Sequence, residues 1–263
     1  MRITKNLSPR NNVLKEKLSR GEPVLGTWVT IPSAVALDVI CSTGLDFVIL
    51  DTEHGPLSIE RIQELAMVAE SSGVSPVARV TTLSEGDILR VLDTGVCGVQ
   101  VPNVDSATQA AQIVKYAKFP PLGNRGFSPF TRAGGYGGFD RKKLTQDLNA
   151  QGLVVINIEG DDVLDRVDSI LAVEGIDVVF IGLFDLSKAM GVPGDVNNPR
   201  VQQALKTIVD KVKASGKVAG TIATSSADMD KYLEMGLQYL VYLVDADMLR
   251  SAYGSVVEAF HAR

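Results

Sequence analysis

Two cysteines in 263 residues, Cys41 and Cys97, share no CxxC spacing and lie in apolar surroundings. That excludes a disulfide framework and a thiolate zinc site, and leaves two buried free thiols. Histidine is as scarce: His54 and His261 are the only two, too few for a histidine-rich metal centre. No apolar run approaches the roughly 18 residues that cross a bilayer. The opening Met1-Arg2-Ile3-Thr4-Lys5-Asn6 also lacks the apolar stretch of a signal peptide, so a cytoplasmic protein without a membrane partner is expected. Positive charge is not in excess either. With 26 Lys and Arg against 31 Asp and Glu the net charge is −5, and the basic residues are scattered, which argues against nucleic acid as a partner. Phosphate-cradling signatures are missing too: no GxGxxG follows the first apolar run and no GxxxxGK[ST] occurs.

What the chain has is material for a large core: 45% apolar residues, 22% charged, and a mean hydropathy of +0.14. Short β-branched runs recur near Val24–Thr30, Phe47–Glu53, Pro76–Thr81, Gly98–Val104, Val154–Glu159, Val178–Gly182, Val218–Thr224 and Tyr239–Val244. Helical spacing alternates with them, near Ala34–Ser42, Ile59–Ser71, Glu85–Thr94, Ala107–Ala117, Asp162–Ala172, Arg200–Ser215, Ala227–Met235 and Ala246–Ala262. Several strands are apolar without alternation, as when both faces are covered, and the rhythm implies parallel pairing with right-handed crossovers. Eight such units predict a (β/α)8 TIM barrel spanning residues 1–263 as one domain, against an open doubly wound sheet as the competing arrangement. The rhythm breaks over Lys118–Ala150, where the Gly- and Pro-rich segment 123–138 reads as a loop placed to cover a site or to reach a neighbouring subunit.

Reactive residues of such a barrel gather at the carboxyl ends of its strands. The polar residues there are Asp51, Glu53 and His54 after strand two, Arg79 in strand three, Asn103 after strand four, Asn157 and Glu159 in strand five, and Asp185 past strand six. Glu159 and Asp185 close apolar runs on adjacent strands. Two carboxylates so placed can converge on one hard cation, Mg²⁺ or Mn²⁺, leaving its other positions to water and substrate oxygens. Each acid taken alone also reads as a helix cap or surface charge, and Asp185 before Leu186-Ser187-Lys188-Ala189 has the position of an N-cap. Arg79 puts a permanent charge into Pro76-Val77-Ala78-Arg79-Val80, so a carboxylate or an anionic ligand has to meet it. His54 is suited to moving a proton near neutral pH, and Asp51, three residues earlier, to fixing its tautomer by accepting a ring N–H. Glu53 takes no firm role, His261 reads as surface, and Trp28, the only tryptophan, is expected as a pocket wall.

Taken in order, Phe47-Val48-Ile49-Leu50-Asp51-Thr52-Glu53-His54-Gly55-Pro56, Ala78-Arg79-Val80, Pro120-Pro121-Leu122-Gly123-Asn124-Arg125-Gly126, Ile158-Glu159 and Val173-Glu174-Gly175-Ile176-Asp177-Val178-Val179-Phe180-Ile181-Gly182-Leu183-Phe184-Asp185-Leu186-Ser187 resemble the motifs of the HpcH/HpaI aldolase family, the metal-dependent class II pyruvate aldolases. The likeness runs from about Gly26 to Val244. It implies a (β/α)8 barrel with its last helix exchanged between subunits, in a homohexamer built as a trimer of dimers. By position it implies Glu159 and Asp185 as ligands of Mg²⁺ or Mn²⁺, with Co²⁺ as a further option. Arg79 would hold the keto or enolate oxygen, Asp51 with His54 would transfer protons, and the amides around Gly182, Leu183 and Phe184 would receive the pyruvate carboxylate. Three departures touch the pocket floor: Asn157 where many members carry Gln, Gly160 where many carry Thr or Ser, and Leu183 where Pro is usual.

The function implied is reversible cleavage of a 4-hydroxy-2-oxo acid to pyruvate, or a related 2-oxo acid, and an aldehyde. Three rivals stand beside it. A Schiff-base aldolase needs a desolvated lysine at a strand end, and these strand ends offer none. A non-catalytic 2-oxo acid-binding barrel would keep the fold without turnover. A lyase acting on a CoA thioester would want a basic patch for nucleotide phosphates, which the acidic chain does not display.

Overall fold

The structure is a computed structural model that describes Pro9, residues 11–160 and residues 163–263. Eight parallel strands close into a barrel in sequence order: β1 (Val24–Val29), β2 (Phe47–Asp51), β3 (Ser75–Arg79), β4 (Gly98–Val101), β5 (Leu153–Ile158), β6 (Val178–Ile181), β7 (Val218–Ala223) and β8 (Tyr239–Val244). Around and beneath them run α1 (Val13–Ser19), α2 (Ala34–Cys41), α3 (Ile59–Ser71), α4 (Glu85–Asp93), α5 (Ala107–Ala117), α6 (Leu144–Gln151), α7 (Val163–Leu171), α8 (Leu183–Ala189), α9 (Pro199–Ala214), α10 (Ser226–Met235) and α11 (Asp245–His261). Asp162, expected to open the helix before Ala172, lies outside the described residues.

Serine sets the start of five of these helices. Ser33, Ser58, Ser84, Ser106 and Ser225 each accept the backbone N–H of the third residue on, satisfying one of the donors a helix start leaves free. The loops that follow β1, β2, β3, β4 and β7 are therefore held to fixed lengths at the end of the barrel where their strands finish.

The apolar residues divide into two cores. One fills the layer between strands and helices, and its strand residues include Val48, Leu50, Ala78, Val99, Val154, Ile156 and Val179. The other fills the barrel itself with Trp28, Phe47, Ile49, Val77, Val155, Phe180, Tyr239 and Val241. Period-two alternation on buried strands gives each strand one face in each core. Inside the barrel Phe47 and Tyr239 stack with ring centroids 4.3 Å apart. Glycine makes the room: a Cβ on Gly26 would lie 2.6 Å from the Phe47 ring, and one on Gly220 would lie 2.6 Å from the Tyr239 carbonyl oxygen.

Helix α1 closes the amino end of the barrel. Leu14 and Leu18 join the inner core, the Asn12 amide donates to the carbonyls of Cys97 (2.9 Å) and Gln151 (2.7 Å), and Lys15 and Lys17 pair with Asp177 (3.0 Å) and Asp46 (2.6 Å).

The segment Lys118–Ala150 is less loop-like than its composition predicts. It holds a short 3₁₀ turn at Gly135–Gly137 and most of α6, a polar helix whose only buried residue is Leu144. It also lies at the amino ends of the strands. Arg125 donates to Asp93 at the end of α4 (2.7 Å), and Arg132 donates to the carbonyl of Thr94 (3.0 Å) and pairs with Glu70. The segment 123–138 is therefore at the opposite end of the barrel from the strand carboxyl ends and does not cover this chain's own site. The two cysteines are free, Cys41 buried and Cys97 partly so.

Gly26→Ala should lower stability by about 1–3 kcal/mol in a urea titration, because the added methyl overpacks the inner core. Adding Phe47→Leu should recover part of that loss. Additive losses in the double variant would show that the two positions do not share the space.

Candidate active site

At the carboxyl end of β2 the chain turns sharply through Thr52, Glu53, His54 and Gly55. A Cβ on Gly55 would sit 2.6 Å from the Asp51 carbonyl oxygen, so only glycine fits that bend. Asp51 and Arg79 are direct cross-strand partners in the β2–β3 register, and both side chains are buried. The Arg79 Nε donates to Asp51 Oδ1 (2.8 Å) and Nη2 donates to Oδ2 (2.6 Å), a two-pronged charged bond. Nη1 lies 3.0 Å from Glu53 Oε2, and the guanidinium carbon is 4.0 Å from the centre of the Trp28 ring. Arg79 is thus gripped from two sides and supported from below. A guanidinium carries five N–H donors, more than these contacts consume.

Two expectations change here. Asp51 does not orient His54: its oxygens are taken by Arg79 and by the Glu53 N–H (3.0 Å). Asp51 is the last residue of β2 and points into the barrel, whereas His54 lies beyond the strand on the exposed rim, its Nε2 3.9 Å from Glu53 Oε2. Trp28 is not a pocket wall. It is 5% exposed and belongs to the inner core, so its reach toward a ligand passes through Arg79.

Across the barrel mouth, Glu159 follows β5 directly and is 8% exposed. Its Oε1 accepts the Asn103 N–H (2.8 Å), while its Oε2 occupies a place that a Cβ on Gly182 would approach to 2.2 Å. Asn103 stands in the left-handed region, φ 56°, and its side-chain amide donates to Glu53 Oε1 (3.2 Å). Burial pushes the Glu159 carboxyl up to about 7, the Asn103 N–H pulls it back, and the charges of Asp185 and Glu53 add to the rise. Burial raises Glu53 as well, against the pull of Arg79.

Asp185 is not an N-cap. It lies inside the first turn of α8, which opens after Gly182, and is half exposed, with Lys188 Nζ 3.9 Å away. Leu183 is buried and Phe184 exposed. The first-turn amides there belong to the donors a helix leaves without internal partners. Asn157 is fully buried: its Oδ1 accepts from Gln100 Nε2 (2.7 Å), whose Oε1 accepts from the Tyr239 hydroxyl (3.4 Å). The residue expected to meet substrate is thereby tied into the barrel interior.

Four carboxylates, Asp51, Glu53, Glu159 and Asp185, stand at this end of the barrel. Asp51 and Glu53 pair with Arg79, and the Asp185 charge, with Lys188 beside it, opposes that of Glu159. No group of three or more His, Cys, Asp or Glu gathers as a metal cluster among the described residues. Glu159 and Asp185 would offer an all-oxygen donor set of the kind that suits a hard divalent cation keeping water or substrate oxygens. The side-chain-free space at Gly182 admits the Glu159 carboxylate, so the residues fit such an ion.

Two contributors had no role assigned from the sequence. Asn103 stood among the strand-end polar residues, and it had a further readable sign, since asparagine is among the few residues at ease in the left-handed region. Asp245, buried at the end of β8, accepts from the Thr30 N–H (3.0 Å), the Thr30 hydroxyl (2.8 Å) and the Ile31 N–H (2.9 Å), shaping the loop after β1. Nothing in its local sequence marked it.

Compared with known families, residues 25–252 match HpcH/HpaI aldolase/citrate lyase. The chain is 33% identical over 249 residues to the 5-keto-4-deoxy-D-glucarate aldolase of Enterobacter sp. (strain 638), covering 95% of this chain and 96% of that one. It is 32% identical over 246 residues to the hydroxypyruvate/pyruvate aldolase of Roseobacter denitrificans (strain ATCC 33942 / OCh 114), covering 93% and 95%. A solved HpcH/HpaI aldolase/citrate lyase family protein from Burkholderia cenocepacia J2315 superposes with a TM-score of 0.90 at 27% identity, covering 95% of this chain and all of that one.

The raised Glu159 value means the folded chain holds that proton more tightly than the unfolded chain does. Its contribution to stability is complete below the usual glutamate range and is lost as pH rises through about 7. In chelator, Glu159→Gln should remove a pH-dependent loss on the order of 2–3 kcal/mol between acid and mildly alkaline pH. Parallel melting-temperature profiles for the two proteins would contradict it.

Proposed function

The chain belongs to the HpcH/HpaI aldolase/citrate lyase family, and on that premise we propose that it is a divalent-metal-dependent aldolase, a carbon–carbon lyase. Its reaction is the reversible cleavage of a 4-hydroxy-2-oxo acid to pyruvate, or a related 2-oxo acid, and an aldehyde. One observation carries this reading: a buried guanidinium held by Asp51 and Glu53 opens onto the same barrel end as Glu159 and Asp185, whose charges oppose one another. Both relatives named above are aldolases, which supports the same reaction class.

Glu159 and Asp185 would hold the ion, Mg²⁺ or Mn²⁺ with Co²⁺ as a further option. When bound, it supplies Lewis-acid polarisation of the 2-oxo group. The remaining work falls to the chain's own groups. Arg79, through N–H donors not spent on Asp51 and Glu53, hydrogen-bonds the 2-oxo oxygen as that oxygen gains charge. The amides of Leu183 and Phe184 receive the substrate carboxylate beside Gly182. His54 takes the 4-hydroxyl proton as the bond between C3 and C4 breaks. The released pair of electrons moves onto C3 and the 2-oxo oxygen, and protonation of C3 completes pyruvate. Asp51 acts by positioning Arg79, and Asn157 and Trp28 support the floor from behind.

Helix α11 supports a homo-oligomer. Leu249, Tyr253, Val256, Val257 and Phe260 are all exposed along it, and only Asp245 is buried. An apolar stripe of that kind suits exchange of the helix with a second copy within a homohexamer built as a trimer of dimers. The proposal also takes residues 1–263 as one barrel unit acting on small molecules in the cytoplasm. No helix among the described residues is long and apolar enough to cross a membrane.

EDTA should abolish both aldol cleavage and deuterium exchange into the methyl group of pyruvate, Mn²⁺ or Mg²⁺ should restore them, and Arg79→Ala should lack the exchange even with metal. Activity that survives EDTA and is trapped by borohydride would sink the proposal. His54→Ala should lower kcat by about 10²-fold or more while leaving Mn²⁺ affinity near the wild-type value; a calorimetric titration beside the kinetics checks it.

A further inference from the structure

We infer, resting on the aldolase reading above, that Asn103 is a positioning residue of this site: its left-handed backbone aims the N–H that fixes Glu159, and its side-chain amide fixes Glu53 against Arg79. The two halves of the site lie on different strands. Asp51, Glu53 and Arg79 come from β2 and β3, whereas Glu159 follows β5. Asn103, just past the end of β4 at Val101, stands between them in the strand order.

Its conformation is what lets it reach both ways. Pro102 has no N–H to give, and the chain then enters the left-handed region at Asn103 (φ 56°) before returning to β5, where the Val104 N–H donates to the Asn157 carbonyl (2.9 Å). That turn points the Asn103 N–H at Glu159 Oε1 (2.8 Å) and leaves the carboxamide to meet Glu53 Oε1 (3.2 Å). Among the described residues this N–H makes the one protein hydrogen bond to the Glu159 carboxylate. Glu53 is held at both ends, Oε1 by Asn103 and Oε2 by Arg79 (3.0 Å). A left-handed residue costs an L side chain least when it is asparagine, and costs glycine nothing; a β-branched residue resists it most.

Those preferences separate the two tasks. Asn103→Gly keeps the backbone turn and deletes the carboxamide, while Asn103→Val opposes the turn itself. With the full chain, Mn²⁺ titration followed by the EPR signal of the free ion should show Asn103→Val weakened by about tenfold or more, as for loss of a partner that orients a ligand. Asn103→Gly should bind Mn²⁺ within about twofold of wild type, because its N–H remains. Its kcat should nevertheless fall severalfold, since Glu53 loses its second anchor. Unchanged Mn²⁺ affinity in Asn103→Val would overturn the backbone role, as would equal weakening in both variants. Full kcat in Asn103→Gly would overturn the side-chain role. A wild-type chain that binds Mn²⁺ but cleaves no 4-hydroxy-2-oxo acid would overturn the aldolase reading instead, and the Mn²⁺ titration would still decide whether the Asn103 backbone positions Glu159.

Discussion

A guanidinium at a barrel mouth, nearly out of water, is stable only while acids surround it, and the Asp51–Arg79 pair is where this chain meets that demand. Removing one partner of such a buried pair typically costs about 3–5 kcal/mol, because the other charge is stranded. The rest of the site is arranged around this. The Trp28 ring supports the arginine, Glu53 closes its open side, Asn103 holds Glu53, and through its own backbone Asn103 reaches Glu159. One cation with two acids on one side of the mouth is thus linked through Asn103 to Glu159 on the other.

The division between a gripped arginine and an undercompensated glutamate gives the two sides different electrostatic tasks. Around Arg79 two acids meet the guanidinium at contact distance and hold it in place. Around Glu159 burial and repulsion outweigh the single N–H that favours the charged form. The matched side offers fixed donors to a forming oxyanion, and the unmatched side offers affinity for a cation. Neither side could serve as the other without exchanging the residues that surround it.

The barrel was readable because burial on both faces writes continuous β-branched runs, and helical spacing of apolar residues alternates with them. Strand ends were read too long, at Glu53, Thr81 and Val104, because polar residues that follow a strand on the way to the site look like its continuation. Helices α1 and α6 were missed for a different reason: one is seven residues long and the other buries only Leu144. Among the site residues, membership was legible and partnership was not. Asp51 and His54 are three apart in sequence, and that spacing suggested contact. The register across β2 and β3 instead sets Asp51 opposite Arg79, and no local pattern along one strand reports which residue of the next lies beside it. Asn157 illustrates the same limit, since its partner Gln100 comes from the neighbouring strand β4 and is itself met by Tyr239 of β8.

Helix α1 carries a consequence for the order of assembly. It is made before any strand, yet the Asn12 side chain beside it bonds to carbonyls at Cys97 and Gln151, and Lys15 pairs with Asp177. Loop closure over such separations has to follow the formation of most of the barrel. Helix α1 can therefore make these bonds only once Cys97, Gln151 and Asp177 have come together, and its seating reports that the floor of the barrel has closed.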